Sequence, residues 1–132
     1  MLYTIELRTT QTTELIDITA QVRELTGRHG PLDGAAYLFV PHTTAGITIN
    51  EHADPAVRED ILMALNGLVP AAAPYRHAEG NSPAHIKAVL TGSAVTVLIE
   101  SGRLVLGTWQ GIFFCEYDGP RRRQVRVKFL SG

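Results

Sequence analysis

Three of the five histidines stand where the chain turns, outside its apolar runs. His42 opens Pro-His-Thr-Thr-Ala-Gly, His77 follows Tyr75-Arg76, and His85 lies just inside a helix start. Imidazole is the side chain that changes charge near neutral pH and, when neutral, ligates metals, so histidines at loops and caps raise acid–base or metal chemistry first. The positive end of a helix dipole favours the neutral, metal-binding form of His85. The eight-residue gap from His77 to His85 spans a loop and a helix start, so those two rings can converge, although the spacing matches no local zinc signature.

Polar groups crowd the stretch after His42. Thr43, Thr44, Thr48, Asn50, Glu51, His52 and Asp54 follow it within thirteen residues. Strand periodicity puts Thr48 and Asn50 on one face, opposite Ile47 and Ile49. Glu51 and Asp54 are candidates for a general base or for oxygen ligands of magnesium. Further on, Glu116 shares a strand face with Ile112 and Phe114, so it lies either at a fraying strand end or paired inside a pocket. Arg121-Arg122-Arg123 can hold a phosphate, pair with such a carboxylate, or form a solvated basic turn.

Elements must position these groups. Alternation over Leu2–Arg8 marks a strand, followed by a short strand at Leu15-Ile16 and a helix capped by Asp17 or Thr19 and ended near Gly27. Gly34–Pro41 and Gly46–Asn50 are strands with a bend between them that carries His42. Asp54-Pro55 starts a helix with its apolar stripe at Val57, Ile61, Leu65 and Leu68, and a loop from Val69 to Gly80 carries His77. Ser82-Pro83 starts the last helix and Gly92 ends it. Strands follow at Ala94–Glu100, Arg103–Leu106, Gly111–Tyr117 and Arg123–Leu130. Strands at both ends with helices between them predict an α+β fold, an antiparallel or mixed β-sandwich with helices packed on one face, as a single domain over residues 1–132.

Composition narrows the function. The chain has 132 residues, 45% hydrophobic and 19% charged, enough for one buried core and too apolar for disorder. A net charge of −1 gives no general attraction to nucleic acid or an acidic membrane, so any anion site must be local. No apolar run approaches the roughly 20 residues that span a bilayer, and a cytoplasmic location is expected. The lone Cys115, in Ile112-Phe113-Phe114-Cys115, reads as a buried hydrophobe. His29, in a turn, reads as structural.

The segments Pro41–Glu51, Ala53–Arg58, Tyr75–His77, Pro83–Lys87 and Gly102–Ile112, continued by Glu116 and Gly119–Arg121, resemble the YjbQ-like family in order across nearly the whole chain. The resemblance implies a homotrimeric α+β sandwich with a metal-associated pocket near subunit boundaries and a weak thiamine-phosphate synthase activity. Carried over, the family's histidine positions fall on His42, His77 and His85, as metal ligands; His52 does not match a family position. The remaining expectations name Glu51, Asp54, Gln110 and Glu116 as catalytic groups. Thr43, Thr44, Asn50, Arg76, Lys87 and Arg121 are expected to hold a small phosphorylated or anionic ligand. A divalent metal is expected, zinc-like at the histidines, with magnesium accompanying the substrate.

Joining a pyrimidine-methyl diphosphate to a thiazole phosphate requires charge neutralisation on the leaving diphosphate and exclusion of water from a reactive cation. A three-histidine site instead suits a zinc-type ion that activates water. Two alternatives therefore stand beside the synthase: a metal-dependent hydrolase of a small substrate, and a non-enzymatic trimer that binds a small anion or metal.

Overall fold

In the computed structural model, which describes residues 1–132, eight strands and three helices follow in the order β1 (Tyr3–Arg8), β2 (Glu14–Asp17), α1 (Thr19–His29), β3 (Gly34–Phe39), β4 (Ala45–Glu51), α2 (Pro55–Leu68), α3 (Ser82–Thr91), β5 (Ala94–Glu100), β6 (Arg103–Leu104), β7 (Gln110–Glu116) and β8 (Arg122–Ser131). They form two antiparallel sheets, a five-stranded one in the order β1-β8-β3-β5-β6 and a three-stranded one in the order β2-β7-β4. The expected α+β sandwich is the architecture found, with α2 and α3 on the outer face of the smaller sheet and α1 closing the core between the sheets, and no helix is long and apolar enough to cross a membrane.

Two cores explain the layering. Ile5, Leu38, Val97, Val125 and Val127 of the larger sheet meet Ile47, Ile112 and Phe114 of the smaller one, with Ile18 and Val22 at the start of α1 closing the same core. Phe113, Cys115, Tyr117 and Leu15 project from the other face of the smaller sheet onto Ala84 and Ala88 of α3. Successive strand side chains point to opposite faces, so a strand apolar at every position is buried on both sides. β7 is such a strand: every residue from Gly111 to Tyr117 is buried. Burial also pushes the Cys115 thiol up to about 12, which leaves it protonated and inert at neutral pH.

Helix starts follow local capping chemistry, with two corrections to the expected positions. Asp54 caps α2 as expected, its Oδ1 accepting the Ala56 N–H at 2.9 Å. In α1 the cap position itself is Ile18, and Asp17 acts from one residue earlier, accepting the Thr19 N–H at 2.9 Å and the Thr19 hydroxyl at 2.5 Å. In α3 the cap is Asn81 and not Ser82, so Ser82 and Pro83 form the first turn and His85 is the fourth helical residue. The apolar stripe of α2 is only half-buried and Leu68 remains 74% exposed, because Ala84 and Ala88 of α3 take the central positions on the shared sheet face.

The approach of α3 to β4 is set by Gly46. Its neighbour Ile47 donates its N–H to the Gly92 carbonyl at 3.1 Å, which draws the end of α3 onto the strand. A Cβ at position 46 would stand 2.7 Å from that carbonyl oxygen and 3.1 Å from Thr91 Cβ. Gly46→Ala is expected to destabilise the protein by about 1–3 kcal/mol, the usual scale for overpacking, read as a lower urea midpoint at unchanged slope.

Candidate functional site

His42 lies in the connection between β3 and β4, just beyond the end of the central strand of the larger sheet. The β3–β8 ladder ends at Phe39 opposite Arg126, which leaves the Gln124 N–H of β8 without a strand partner. That N–H donates to His42 Nε2 at 2.9 Å. The neutral ring therefore carries its proton on Nδ1 and presents it away from the sheet. Burial, followed by the nearby Arg123 charge, holds His42 below the usual imidazole range and so favours this neutral form.

Below His42 lies an ion pair that joins the two sheets. Glu116 from β7 and Arg123 from β8 are both buried, and their side chains meet through both carboxylate oxygens, one contact at 2.8 Å. Further hydrogen bonds hold both members of the pair. Thr9 donates to Glu116 Oε1 at 2.7 Å, the Tyr117 and Asp118 N–H groups donate to Oε2 at 3.0 Å, and Arg123 Nη2 donates to Thr44 Oγ1 at 2.8 Å. Burial alone would raise the Glu116 carboxyl, but these donors and the Arg123 charge reverse that and hold it below the usual carboxylate range. Of the two readings open for Glu116, the structure takes the paired one, and Arg123 is its partner.

The three histidines expected to converge do so. His42, His77 and His85 line one cavity of about 430 Å³ together with Thr43, Thr44, Arg121 and Arg123. The Gly80 N–H bonds the His77 carbonyl at 3.2 Å in a turn that leads into α3, and the rings of His77 and His85 stand edge-on with centroids 5.3 Å apart. Asp118 orders the opposite wall. It accepts from Arg121 Nη2 at 3.0 Å and from Asn81 Nδ2 at 2.9 Å, while Asn81 Oδ1 is buried without a partner. Asn81 and Glu79 line the cavity too, and the sequence had not singled out either.

A divalent metal fits these residues only in part. No three His, Cys, Asp or Glu side chains are grouped to hold one ion. The lone pair of His42 Nε2 is engaged by Gln124, and ligation through Nδ1 would place a proton on Nε2 facing the Gln124 N–H, donor against donor. Of the three expected ligands, His77 and His85 stand as a close pair, while His42 serves as a hydrogen-bonding group.

Other expected site residues are placed elsewhere. β4 runs away from the cavity, with Ala45 opposite Glu116 and Glu51 opposite Gln110, so Glu51, Gln110 and their neighbour Asn50 lie roughly 20 Å from the histidine end. Gln110 Oε1 accepts the Gly107 N–H at 2.8 Å, and Asp54 is engaged as the α2 cap. Lys87 is buried, bonded to Asn66 of α2, and Arg76 is exposed on the loop outside the cavity wall. Periodicity gives the face of a side chain but not the end of the sheet at which it lies, which is why these residues were grouped with His42.

His52, set aside at the sequence level, has a structural partner. Its Nδ1 lies 2.9 Å from Asp17 Oδ2, and the ring packs over Gly111, where a Cβ would come within 2.6 Å of it. The contact exists because β2 and β4 flank β7, a pairing no local pattern reveals. His29 stacks on Tyr3 at 4.4 Å, in keeping with a structural role.

An antiparallel sandwich with three helices, carrying a histidine- and arginine-lined cavity at one end of its inter-sheet seam, defines the class. A model of the family described as UPF0047 protein YjbQ-like matches residues 3–132, and the chain belongs to that family. It is 48% identical to the UPF0047 protein YugU of Bacillus subtilis over 132 residues, covering 99% of this chain and 100% of that protein. It is 49% identical to a UPF0047 protein of Methanocaldococcus jannaschii, covering 99% and 95% respectively. A crystal structure of a YjbQ/UPF0047 family protein from Clostridium acetobutylicum superposes with a TM-score of 0.93 at 53% identity, covering 96% of this chain and 98% of that one.

Removing one member of a buried ion pair leaves the other charge uncompensated. Glu116→Gln is expected to cost about 3–5 kcal/mol by chemical denaturation at pH 7. In the native protein the depressed Glu116 midpoint contributes stability that is complete above the unfolded carboxylate value of about 4.3 and is lost as pH falls through the lower folded value; the variant lacks this component of acid sensitivity.

Proposed function

We propose that the histidine cavity is the active site of a small enzyme acting on phosphorylated substrates, and that thiamine-phosphate formation is the reaction it supports. The observation that carries this reading is the convergence of His42, His77 and His85, from three separate elements, with Arg121 and Arg123 on one cavity. In that reaction the bond between the pyrimidine methylene and the diphosphate oxygen breaks, the thiazole nitrogen forms the new bond to the methylene, and pyrophosphate leaves. Charge develops on the leaving oxygen, where preorganised donors act most strongly. His42 presents Nδ1–H and Arg121 a guanidinium only partly engaged by Asp118, while the buried Asn81 Oδ1 supplies an acceptor for a substrate N–H. The His77–His85 pair can donate a proton to the departing pyrophosphate. Purified protein supplied with both substrates and magnesium is expected to form thiamine phosphate, with a loss of about 10²–10⁴-fold in turnover for His85→Ala. Product formation no faster than in that variant overturns the reading.

The edge-on His77–His85 pair favours a second reading, a metal-dependent hydrolase in which those two side chains hold a zinc-like ion. Two histidines leave coordination positions for water and substrate, and elemental analysis of protein purified without chelators separates this reading from the first.

The expected homotrimer finds support in the outer face of the larger sheet. Tyr37, Phe39, Leu98 and Leu130 are all between 46% and 62% exposed there, with no helix over them. An exposed apolar face of this kind marks an association surface. Light scattering is expected to give three times the chain mass of 14.4 kDa, and a mass that falls for Leu98→Lys with the secondary structure retained.

A further inference from the structure

β1 and β8 pair so that Arg8 stands directly opposite Arg122. Like charges opposed across an antiparallel pair repel, and such positions ordinarily carry opposite charges or uncharged partners. The ion pairs of the protein join Arg28 to Glu24, His52 to Asp17, Arg121 to Asp118 and Arg123 to Glu116; neither Arg8 nor Arg122 has a carboxylate partner. Both guanidiniums line a groove of about 630 Å³ bounded by Glu6, Gln124, His42 and the buried Arg123. Glu6 lies two residues before Arg8 on the same strand face, opposite Gln124, and neutralises neither arginine by direct contact. Arg123 is compensated by Glu116, so the positive charge of the groove belongs to Arg8 and Arg122.

The groove and the histidine cavity share two side chains. His42 and Arg123 line both, with Arg121 on the cavity side and Arg8 and Arg122 on the groove side. The His42 ring thus forms part of the wall of two neighbouring concavities, each with uncompensated or partly compensated guanidinium. Two arginines at neighbouring positions provide paired N–H forks that match the oxygens of a phosphate.

We propose that the Arg8–Arg122 groove is a second phosphate-binding subsite, so that the ligands occupying the two concavities carry an anionic group on each side of His42. The inference rests on the reading of the histidine cavity as a phosphate site. It explains why a repulsive cross-strand pair is retained on an exposed edge, where an uncharged residue would pair with less strain. It also fits a reaction that brings together two phosphorylated molecules, one diphosphate and one monophosphate, with bond making between them.

Inorganic phosphate titrated into the native protein, followed by calorimetry, is expected to fill two sites per chain. Arg8→Gln/Arg122→Gln should retain one, with affinity for the other reduced at least tenfold, while Arg121→Gln should weaken only the cavity site. Without phosphate, the double variant should melt no lower than the native protein, because the repulsion is relieved. Arg122→Lys, which keeps the charge but loses the fork, should bind at the groove with intermediate affinity. Two sites with native affinities in the double variant overturn the proposal. So does a changed oligomeric mass on light scattering, which would assign the arginines to a neighbouring copy of the chain. A single native site abolished by Arg8→Gln/Arg122→Gln but untouched by Arg121→Gln leaves the groove standing and defeats the reading of the histidine cavity. The opposite pattern defeats the groove alone.

Discussion

The buried pair of Glu116 and Arg123 is the contact on which the site depends. One partner belongs to each sheet, so the pair closes the sandwich at the end where the β3–β4 connection crosses. Its value as a source of stability is limited, since an apolar pair of similar volume packs as well without the cost of desolvating two charges. Its consequence for geometry is larger. Arg123 holds Thr44 by side chain and backbone, Glu116 holds Thr9 and the two N–H groups at the start of the β7–β8 turn, and Asp118 in that turn holds Arg121 and Asn81. A continuous hydrogen-bonded set thus runs from the inter-sheet core to the cavity wall.

That arrangement gives His42 a defined state. A free imidazole chooses between two tautomers of similar energy, and surroundings decide which is present. Here an unpaired strand N–H, left where the ladder stops, makes the decision: Nε2 accepts and Nδ1 donates. The same contact that fixes the ring makes it a poor metal ligand and a good hydrogen-bond donor to an anion.

Much of this was legible in the residues. The strands, the Asp54 cap, the burial of Cys115 and the convergence of His42, His77 and His85 all follow from local patterns or from motif resemblance. The sequence also posed the right alternatives for Glu116 and the arginine run. What it concealed depends on pairing between distant strands. Nothing near Glu51 or Gln110 indicates that they sit together at the far end of β4 and β7, because alternation is the same at both ends of a strand. Asp17 and His52 meet only because β2 and β4 share β7 as neighbour. The opposition of Arg8 and Arg122 likewise requires the register of the first strand against the last.

β7 is packed on both faces, against the larger sheet through Ile112 and Phe114 and against the helices through Phe113, Cys115 and Tyr117. It joins the two cores across the middle of the smaller sheet. α3, which carries His85, packs on that strand's outer face, while β8, which carries Arg123 and the N–H that fixes His42, lies across its inner one. The spacing between the two walls of the cavity is therefore bounded by the bulk of β7's apolar side chains, which lie between the helix on one side and the larger sheet on the other.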